Sequence, residues 1–182
     1  MRIIAGKHKG RNLLSPKDKS IRPTASKMRE AIFNILASRN VINEETIVTD
    51  LCCGTGALGL ESLSRGARQV IFIDESQQNL TLAWMNIKSC KEEENAIILR
   101  ANAENLPIAK VQSNLVFLDP PYFKGISEKA LVSLMKQNWL TNEALIIIEL
   151  DKKEDLNYPT SHYNEVSIRF YGNSKIILLE KI

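Results

Sequence analysis

Residues 50–59 of the chain read DLCCGTGALG, a glycine-rich stretch between two apolar segments. The β-branched residues 46–51 before it predict a strand, and the residues from Ala57 onward predict a helix. Glycines between a strand and a helix let a ligand approach the backbone, and the helix N-terminus offers unpaired N–H groups and the positive end of its dipole. The spacing of Gly54, Gly56 and Gly59 fits a dinucleotide fingerprint, so a nucleoside-containing ligand is expected at this turn.

Strand and helix patterns alternate along the chain after residue 45. Helices are predicted at residues 57–65, 77–89 and 127–137. Strands are predicted at residues 46–51, 69–74, 96–101, 114–119, 144–150, 166–171 and 175–180. Nearly continuous apolar strands that alternate with helices are typical of a parallel sheet covered on both faces. Only a short turn separates the last two strands, so this mostly parallel seven-stranded sheet of an α/β fold is expected to end in an antiparallel hairpin.

Positive charge is concentrated near the N-terminus. Residues 1–30 carry nine Lys or Arg and two acidic residues, whereas the other 152 carry 15 basic and 19 acidic ones. Such a basic segment favours a phosphate-rich partner. Residues 1–14 predict a small β-hairpin with a basic turn in which His8 is an exposed loop residue, and apolar residues at helical spacing from Met28 to Leu36 predict a helix. We therefore expect a nucleic-acid-binding extension at residues 1–40 and a main domain at residues 41–182.

Several classes of protein are disfavoured by composition. No apolar run is long enough to span a bilayer, and the N-terminus lacks the apolar core of a signal peptide. The three cysteines argue against a disulfide framework, and none has the spacing of a zinc site. We expect a cytoplasmic protein, monomeric, without a metal and without a membrane partner.

Polar residues lie at the ends of the first four predicted strands of the parallel sheet, among them Asp50, Asp74, Asn102 and Asp119. In open α/β sheets the ligand binds outside the carboxyl ends of the strands, so these side chains are expected to share one site. Asp74 lies 20 residues beyond Gly54, where a carboxylate can accept both hydroxyls of a ribose. NAD and S-adenosylmethionine both carry that ribose, so Asp74 does not distinguish them.

Asp50 does distinguish the two ligands. NAD would place its pyrophosphate over the glycine turn, where a carboxylate repels it. S-adenosylmethionine has no phosphate, and its sulfonium and α-amino groups are attracted to a carboxylate. Asp50 therefore favours S-adenosylmethionine as the cofactor.

The residues Asp119-Pro120-Pro121-Tyr122 follow the fourth strand. Consecutive prolines form a rigid, extended segment with carbonyls but no N–H groups. The Asp119 carboxylate and the Pro120 carbonyl can accept both hydrogens of an exocyclic amine on a planar base, and Tyr122 can stack on that base. With its hydrogens held, the amine can direct its lone pair at an electrophilic methyl group, so catalysis would rest on positioning and electrostatics.

These motifs carry a resemblance to known proteins. Asp50, Gly54 and Gly56 together with residues 119–122 resemble S-adenosylmethionine-dependent methyltransferases that act on exocyclic amino groups. Four N-terminal segments narrow the resemblance to the RsmD family, whose members methylate guanine N2 in 16S ribosomal RNA: RIIAGK (residues 2–7), GR (10–11), RPT (22–24) and REAIFNIL (29–36). The resemblance covers essentially the whole chain and implies a Rossmann-like class I methyltransferase fold.

The resemblance also implies roles for individual residues. It implies cofactor contacts from Asp50, Cys52, Gly54, Gly56, Asp74, Asn102, Ala103 and Asp119. It implies that Asp119, Pro120, Pro121 and Tyr122 form the catalytic pocket for the target base. With the basic N-terminus it implies RNA contacts from Arg2, Lys7, Lys9, Arg11 and Arg22, and 16S rRNA within small-subunit particles as the partner. Two departures from the family pattern are Cys52-Cys53, where an aromatic residue and an alanine are common, and His8, where tryptophan is common.

Three alternatives remain open from the sequence. Another exocyclic-amine methyltransferase, acting on adenine N6 in DNA or in other RNA, would use the same acceptor motif. An NAD-dependent oxidoreductase would use the same glycines but would need a proton donor, and neither His8 nor His162 ends a strand. A non-catalytic RNA-binding protein would have no need of the full set of motifs.

Overall fold

The computed structural model describes residues 1–15 and 26–182 as a three-layer α/β fold. Its strands are β1 (Ile47–Leu51), β2 (Gln69–Asp74), β3 (Ala96–Arg100), β4 (Ser113–Leu118), β5 (Leu140–Asp151), β6 (Tyr163–Tyr171) and β7 (Ser174–Lys181). Its helices are α1 (Ser26–Ser38), α2 (Ala57–Ser64), α3 (Gln77–Cys90) and α4 (Ile126–Lys136), with a short 3-10 helix at Glu93–Asn95.

The strands form a single sheet in the order β3-β2-β1-β4-β5-β7-β6. Strands β1 to β5 pair in parallel, whereas β7 pairs antiparallel with β5 and with β6. The prediction of a mostly parallel seven-stranded sheet ending in an antiparallel hairpin is confirmed. The strand order reverses direction between β1 and β4, and ligands of doubly wound sheets bind at such a switch point.

Apolar residues bury both faces of the sheet. On one face, Ile3 and Leu13 of the N-terminus join the core formed with α1, α2 and α3, and Phe33 of α1 packs its ring 5.7 Å from that of Phe117. On the other face, α4 covers β4 and β5. Residues 1–15 therefore pack into the same core as the sheet, and the division at residue 40 stays a prediction about function.

The N-terminal residues form a turn that is held to the main domain. Arg2 and Asn12 make one antiparallel bridge, and the backbone N–H of Ile3 donates to the Arg11 carbonyl (3.0 Å). The expectation that His8 is an exposed loop residue was wrong, because its Nε2 lies 2.5 Å from the buried Glu92 carboxylate. The predicted helix from Met28 to Leu36 is confirmed as part of α1.

Strand β5 begins four residues earlier than the sequence predicted. The sequence did not predict residues 140–143 as part of the strand, because the polar residues Thr141 to Glu143 interrupt the apolar pattern. Glu143 has a left-handed backbone (φ 59°), and the register with β4 shifts between Ser113 and Leu115. Within the described ranges, no helix combines the length and apolar character needed to cross a membrane.

Candidate functional site

The register of the sheet brings three of the predicted site residues into one row with a further acid. Leu51 pairs with Ile73 and Leu118, and Leu118 pairs with Ile148. The next residue along each of these four strands lies at the carboxyl edge, in the spatial order Asp74, Cys52, Asp119, Glu149. Neighbouring strands are about 4.8 Å apart, so three carboxyl groups and one thiol occupy a short stretch of this edge.

A cavity of about 600 Å³ opens above this row. Ten of the eleven residues predicted for cofactor and catalysis line it: Asp50, Cys52, Gly54, Asp74, Asn102, Ala103, Asp119, Pro120, Pro121 and Tyr122. The exception is Gly56. The volume lies in the range of small-molecule sites.

The glycine turn closes under the cavity through left-handed backbone positions. Cys52 (φ 63°), Gly54 (φ 52°) and Gly56 (φ 75°) all adopt this conformation. A Cβ on Gly56 would lie 3.2 Å from the Phe72 ring, so Gly56 faces the core behind the turn rather than the cavity. Glycine at this position lets the turn and the start of α2 lie directly on β2.

Asp74 organises the turn from the end of β2. Its Oδ2 accepts the N–H of Gly54 (3.0 Å), and its Oδ1 accepts the N–H of Ser76 (2.9 Å). The side-chain amide of Asn79 donates to both oxygens, at 3.1 and 3.2 Å. The carboxylate is thus fixed in position at the cavity wall.

Asp50 is a buried acid whose pKa is strongly raised. It is almost fully buried, and its Oδ2 accepts the N–H of Gly59 in α2 (2.9 Å). Burial raises the pKa of Asp50 to about 8, the hydrogen bond from Gly59 opposes this, and Asp119 and Asp74 raise the pKa further. A cation beside Asp50 would favour its ionised form.

The cavity is strongly acidic. Six carboxyl side chains line it: Asp50, Asp74, Glu75, Glu104, Asp119 and Glu149. Among the lining residues of the described ranges there is no Lys or Arg. This charge pattern suits a cationic ligand and repels a pyrophosphate, so the residues present fit S-adenosylmethionine and do not fit NAD.

The loop after β3 forms the wall opposite the proline motif. Asn102 is exposed, its side-chain N–H donates to Glu75 (3.2 Å), and its side-chain Oδ1 accepts the backbone N–H of Glu104 (2.7 Å). Ala103 is buried beside it and lines the cavity. An amide held next to an apolar surface suits the edge and face of an adenine ring.

The proline motif leaves β4 with Asp119 half-buried, Pro120 buried and Pro121 exposed. The Tyr122 hydroxyl donates to Glu149 Oε1 (2.9 Å) and lies 2.8 Å from the Ser174 Oγ. These contacts fix one end of the ring at the cavity wall. The sequence predicted the ring but not its partner Glu149, because Glu149 lies inside strand β5 rather than after its end.

The basic N-terminal turn packs against the C-terminal halves of α2 and α3. Arg2, Lys7, Lys9 and Arg11 are exposed, whereas the predicted RNA contact Arg22 lies outside the described residues. The ammonium of Lys7 lies 2.7 Å from Glu92, and the Arg11 guanidinium donates to the Ser89 carbonyl.

One buried amide on α3 links this N-terminal segment to the glycine turn. The side-chain carbonyl of Asn86 accepts the N–H of Leu14 (2.7 Å), and its N–H group donates to the Leu14 carbonyl (3.1 Å) and to the Thr55 carbonyl (2.9 Å). A single polar residue in the middle of a helix gave no signal in the sequence.

Comparisons with known proteins agree with this geometry. A family model described as conserved hypothetical protein 95 matches residues 1–180. The ribosomal RNA small subunit methyltransferase D of Escherichia coli is 34% identical over 157 residues, which cover 86% of this chain and 77% of that protein. The chain belongs to the RsmD family.

Solved structures agree with the RsmD assignment. The Escherichia coli protein yhhF, described provisionally as a methyltransferase, has a TM-score of 0.87 and 31% identity, and the match covers 100% of this chain and 97% of that one. An RNA methyltransferase from Salinibacter ruber, solved in complex with S-adenosyl-L-homocysteine, has a TM-score of 0.66 and 11% identity over 87% and 92% of the chains. The second match concerns the fold alone, and both support a Rossmann-like methyltransferase fold.

Proposed function

We propose that this chain transfers a methyl group from S-adenosylmethionine to the exocyclic N2 amine of a guanine in 16S rRNA of the small ribosomal subunit. The observation that carries the proposal is the acidic cavity at the switch point, which has Asp119 and Pro120 in its wall. Membership of the RsmD family supports the reaction, and the relatives named ribosomal RNA small subunit methyltransferase D support the substrate.

The cofactor is proposed to lie across the glycine turn. Asp74 would receive the ribose hydroxyls, Asn102 and Ala103 would contact the adenine, and Asp50 would face the cationic groups. Cys52, Gly54 and Asp119 complete the proposed contacts, and Gly56 contributes by letting the turn lie on β2. When bound, S-adenosylmethionine supplies an electrophilic methyl group.

Asp119 and the Pro120 carbonyl are proposed to hold the target amine. Each accepts one amine hydrogen, which fixes the orientation of the nitrogen lone pair. Pro121 keeps the segment rigid and Tyr122 supports the face of the base. Because the amine is oriented rather than deprotonated beforehand, Asp119 acts by positioning, by stabilising the positive charge that develops on the nitrogen, and by accepting the proton that the methylated amine releases.

The RNA partner is proposed to contact the N-terminal segment, with Arg2, Lys7, Lys9, Arg11 and Arg22 near its phosphates. Residues 1–40 would thus be the RNA-binding extension and residues 41–182 the methyltransferase domain. We propose a monomer that acts in the cytoplasm on small-subunit particles, without a metal.

Labelled methyl transfer tests the function directly. The protein is incubated with methyl-labelled S-adenosylmethionine and either naked 16S rRNA or small-subunit particles that lack the modification, and the labelled nucleotide is mapped. We expect N2-methylguanine at one position. Label on adenine N6 would instead support the alternative amine methyltransferase, and no label together with tight NAD binding would overturn the proposal.

Asp119→Ala tests the assignment of the amine acceptor. We expect transfer to be lost while the affinity for S-adenosylhomocysteine stays within about tenfold, since Asp119 is assigned mainly to the base. Binding calorimetry measures the affinity, and the same labelled assay measures the transfer. Unimpaired transfer by the variant would remove Asp119 from this role.

A further inference from the structure

We propose that Glu149 is a specificity-determining residue that accepts the N1–H of the target base and thereby selects guanine over bases with an unprotonated N1. The inference rests on the proposed function and deepens it by naming the group that reads the base. It follows from the position, the anchoring and the chemistry of Glu149.

The register of the sheet places Glu149 beside the amine acceptor. Leu118 of β4 pairs with Ile148 of β5, so Asp119 and Glu149 leave neighbouring parallel strands at the same level. Both line the cavity together with Pro120 and Tyr122. Two acidic side chains therefore flank the place where the target base is proposed to lie.

Glu149 is held in place. It is 5% exposed, and its Oε1 accepts the hydroxyl of Tyr122 (2.9 Å). The Ser174 hydroxyl lies 2.8 Å from the same Tyr122 oxygen, so a partly buried chain of three polar groups joins β5, β7 and the proline motif. A carboxylate has two oxygens and can accept about four hydrogen bonds, so it can accept a donor of the protein and a donor of a ligand at the same time.

The hydrogen-bonding edges of the purines explain what such an acceptor would select. Guanine carries N1–H directly beside its N2 amine, so both of these positions are hydrogen-bond donors. Adenine presents an unprotonated N1 beside its N6 amine, and that acceptor would face the carboxylate of Glu149. A buried acceptor facing an acceptor leaves both without a hydrogen bond, and sites built to bind a donor reject analogues that lack it.

The test compares two bases that carry the same 2-amino group. RNA substrates are prepared with guanine or with 2-aminopurine at the mapped position; 2-aminopurine keeps the amine but has an unprotonated N1. We expect the unaltered protein to prefer guanine by roughly tenfold or more in kcat/KM. In Glu149→Gln the amide N–H can donate to that N1, so the preference should fall by roughly tenfold.

Asp151→Asn is the matched control, because it changes an acid to an amide on the same strand outside the cavity lining. It should leave both activity and base preference unchanged. S-adenosylhomocysteine affinity and unfolding temperature of each variant report folding. If Glu149→Gln folds and keeps the original preference, the proposal is overturned.

A second measurement uses only the unaltered protein, so it tests the proposal even if Glu149→Gln does not fold. Equal use of guanine and 2-aminopurine by the unaltered protein would overturn the role of Glu149 while leaving the proposed reaction intact. Transfer to neither base would instead overturn the proposed function itself. The two failures are therefore distinguished by the unaltered protein alone.

Discussion

At the scale of single residues, Asp50 is a carboxyl group whose charge depends on the ligand. It is buried beneath the glycine turn and its pKa is raised to about 8, first by burial. Without a ligand it is therefore protonated at neutral pH. A cationic methyl donor above it would stabilise the ionised form, so binding and proton release are linked.

Replacing Asp50 by Asn should uncouple binding from pH. In the unaltered protein we expect S-adenosylmethionine binding at pH 7 to release a proton, and affinity to rise by up to about tenfold per pH unit until about pH 8. Asp50→Asn should bind more weakly and show neither effect. Calorimetry in two buffers with different ionisation enthalpies measures the proton release; equal release by the variant would contradict the assignment.

The same pKa shift affects the ligand-free protein. Unfolded Asp50 loses its proton near pH 4, whereas the folded group keeps it up to about pH 8. The folded state thus binds the extra proton in this window, and its stability contribution is lost as pH rises from about 4 to about 8. Urea unfolding at pH 5 and at pH 8 measures this effect. The free energy of unfolding should change less between the two pH values in Asp50→Asn than in the unaltered protein.

At the scale of elements, α2 connects the site to the N-terminal segment. Gly59 lets the N-terminal half of α2 lie on β2, because a Cβ at this position would lie 2.3 Å from the Phe72 ring and 2.8 Å from Val70. The buried Glu61 of α2 accepts the backbone N–H groups of Ile4 (2.7 Å) and Ala5 (3.0 Å). The helix therefore positions the glycine turn at one end and the basic turn at the other.

Gly59→Ala tests the packing of α2. Alanine in an exposed helix stabilises by up to about 1 kcal/mol relative to glycine. Here the added methyl group overlaps Phe72, so we expect a loss of about 1–3 kcal/mol in the free energy of unfolding. The double variant with Phe72→Leu should show favourable coupling in a double-mutant cycle; additive losses would mean that the two side chains do not meet.

Asn86→Ala tests the link between the N-terminal segment and the turn. It removes one buried hydrogen bond with Thr55 and two partly buried ones with Leu14, and it leaves the Thr55 carbonyl without this donor, so about 1–3 kcal/mol of stability should be lost. Hydrogen exchange at Leu14 should speed up and S-adenosylhomocysteine should bind more weakly. Gln78→Ala, an exposed change on the same helix, is the control and should alter neither.

At the scale of the whole molecule, opposite charges are separated along α3. The acidic cavity includes Asn79 near the helix start, and the basic turn contacts Glu92 just beyond its end. At 1.5 Å per residue these points lie about 20 Å apart. A substrate that touches both must span that distance, so an extended RNA fits better than a free nucleotide.

Neutralising the basic turn should reveal its phosphate contacts. Lys9→Ala is expected to reduce the slope of log affinity against log salt by about 0.7–0.9, the value for one phosphate contact. Lys7→Ala should have a smaller effect, because its ammonium already pairs with Glu92. Anisotropy of labelled RNA over a salt series measures both. Lys110→Ala, in the exposed loop before β4, should leave the slope unchanged.

The sequence predicted the sheet and ten of the residues that line the cavity, because both follow from local patterns. Apolar strands define the parallel sheet, and polar residues at strand ends must meet at its carboxyl edge. Asn86 and the pairing of His8 with Glu92 were not predictable, since they join residues far apart in the chain. Gly56 shows that a local pattern can also suggest a contact that the structure does not make. Its spacing fits a ligand motif, whereas in the structure it faces Phe72.

The two adjacent cysteines of the glycine turn lie where the proposed cofactor could methylate them. Cys52 lines the cavity in which an alkylating cofactor is proposed to lie, and Cys53 follows it. Burial, with the surrounding carboxylates, raises the pKa of both thiols well above the ordinary value. Because the thiolate is the reactive nucleophile, burial first, and the acids that attract the cofactor second, protect these thiols from being alkylated by that cofactor. Mass spectrometry after prolonged incubation with S-adenosylmethionine should find both cysteines unmethylated.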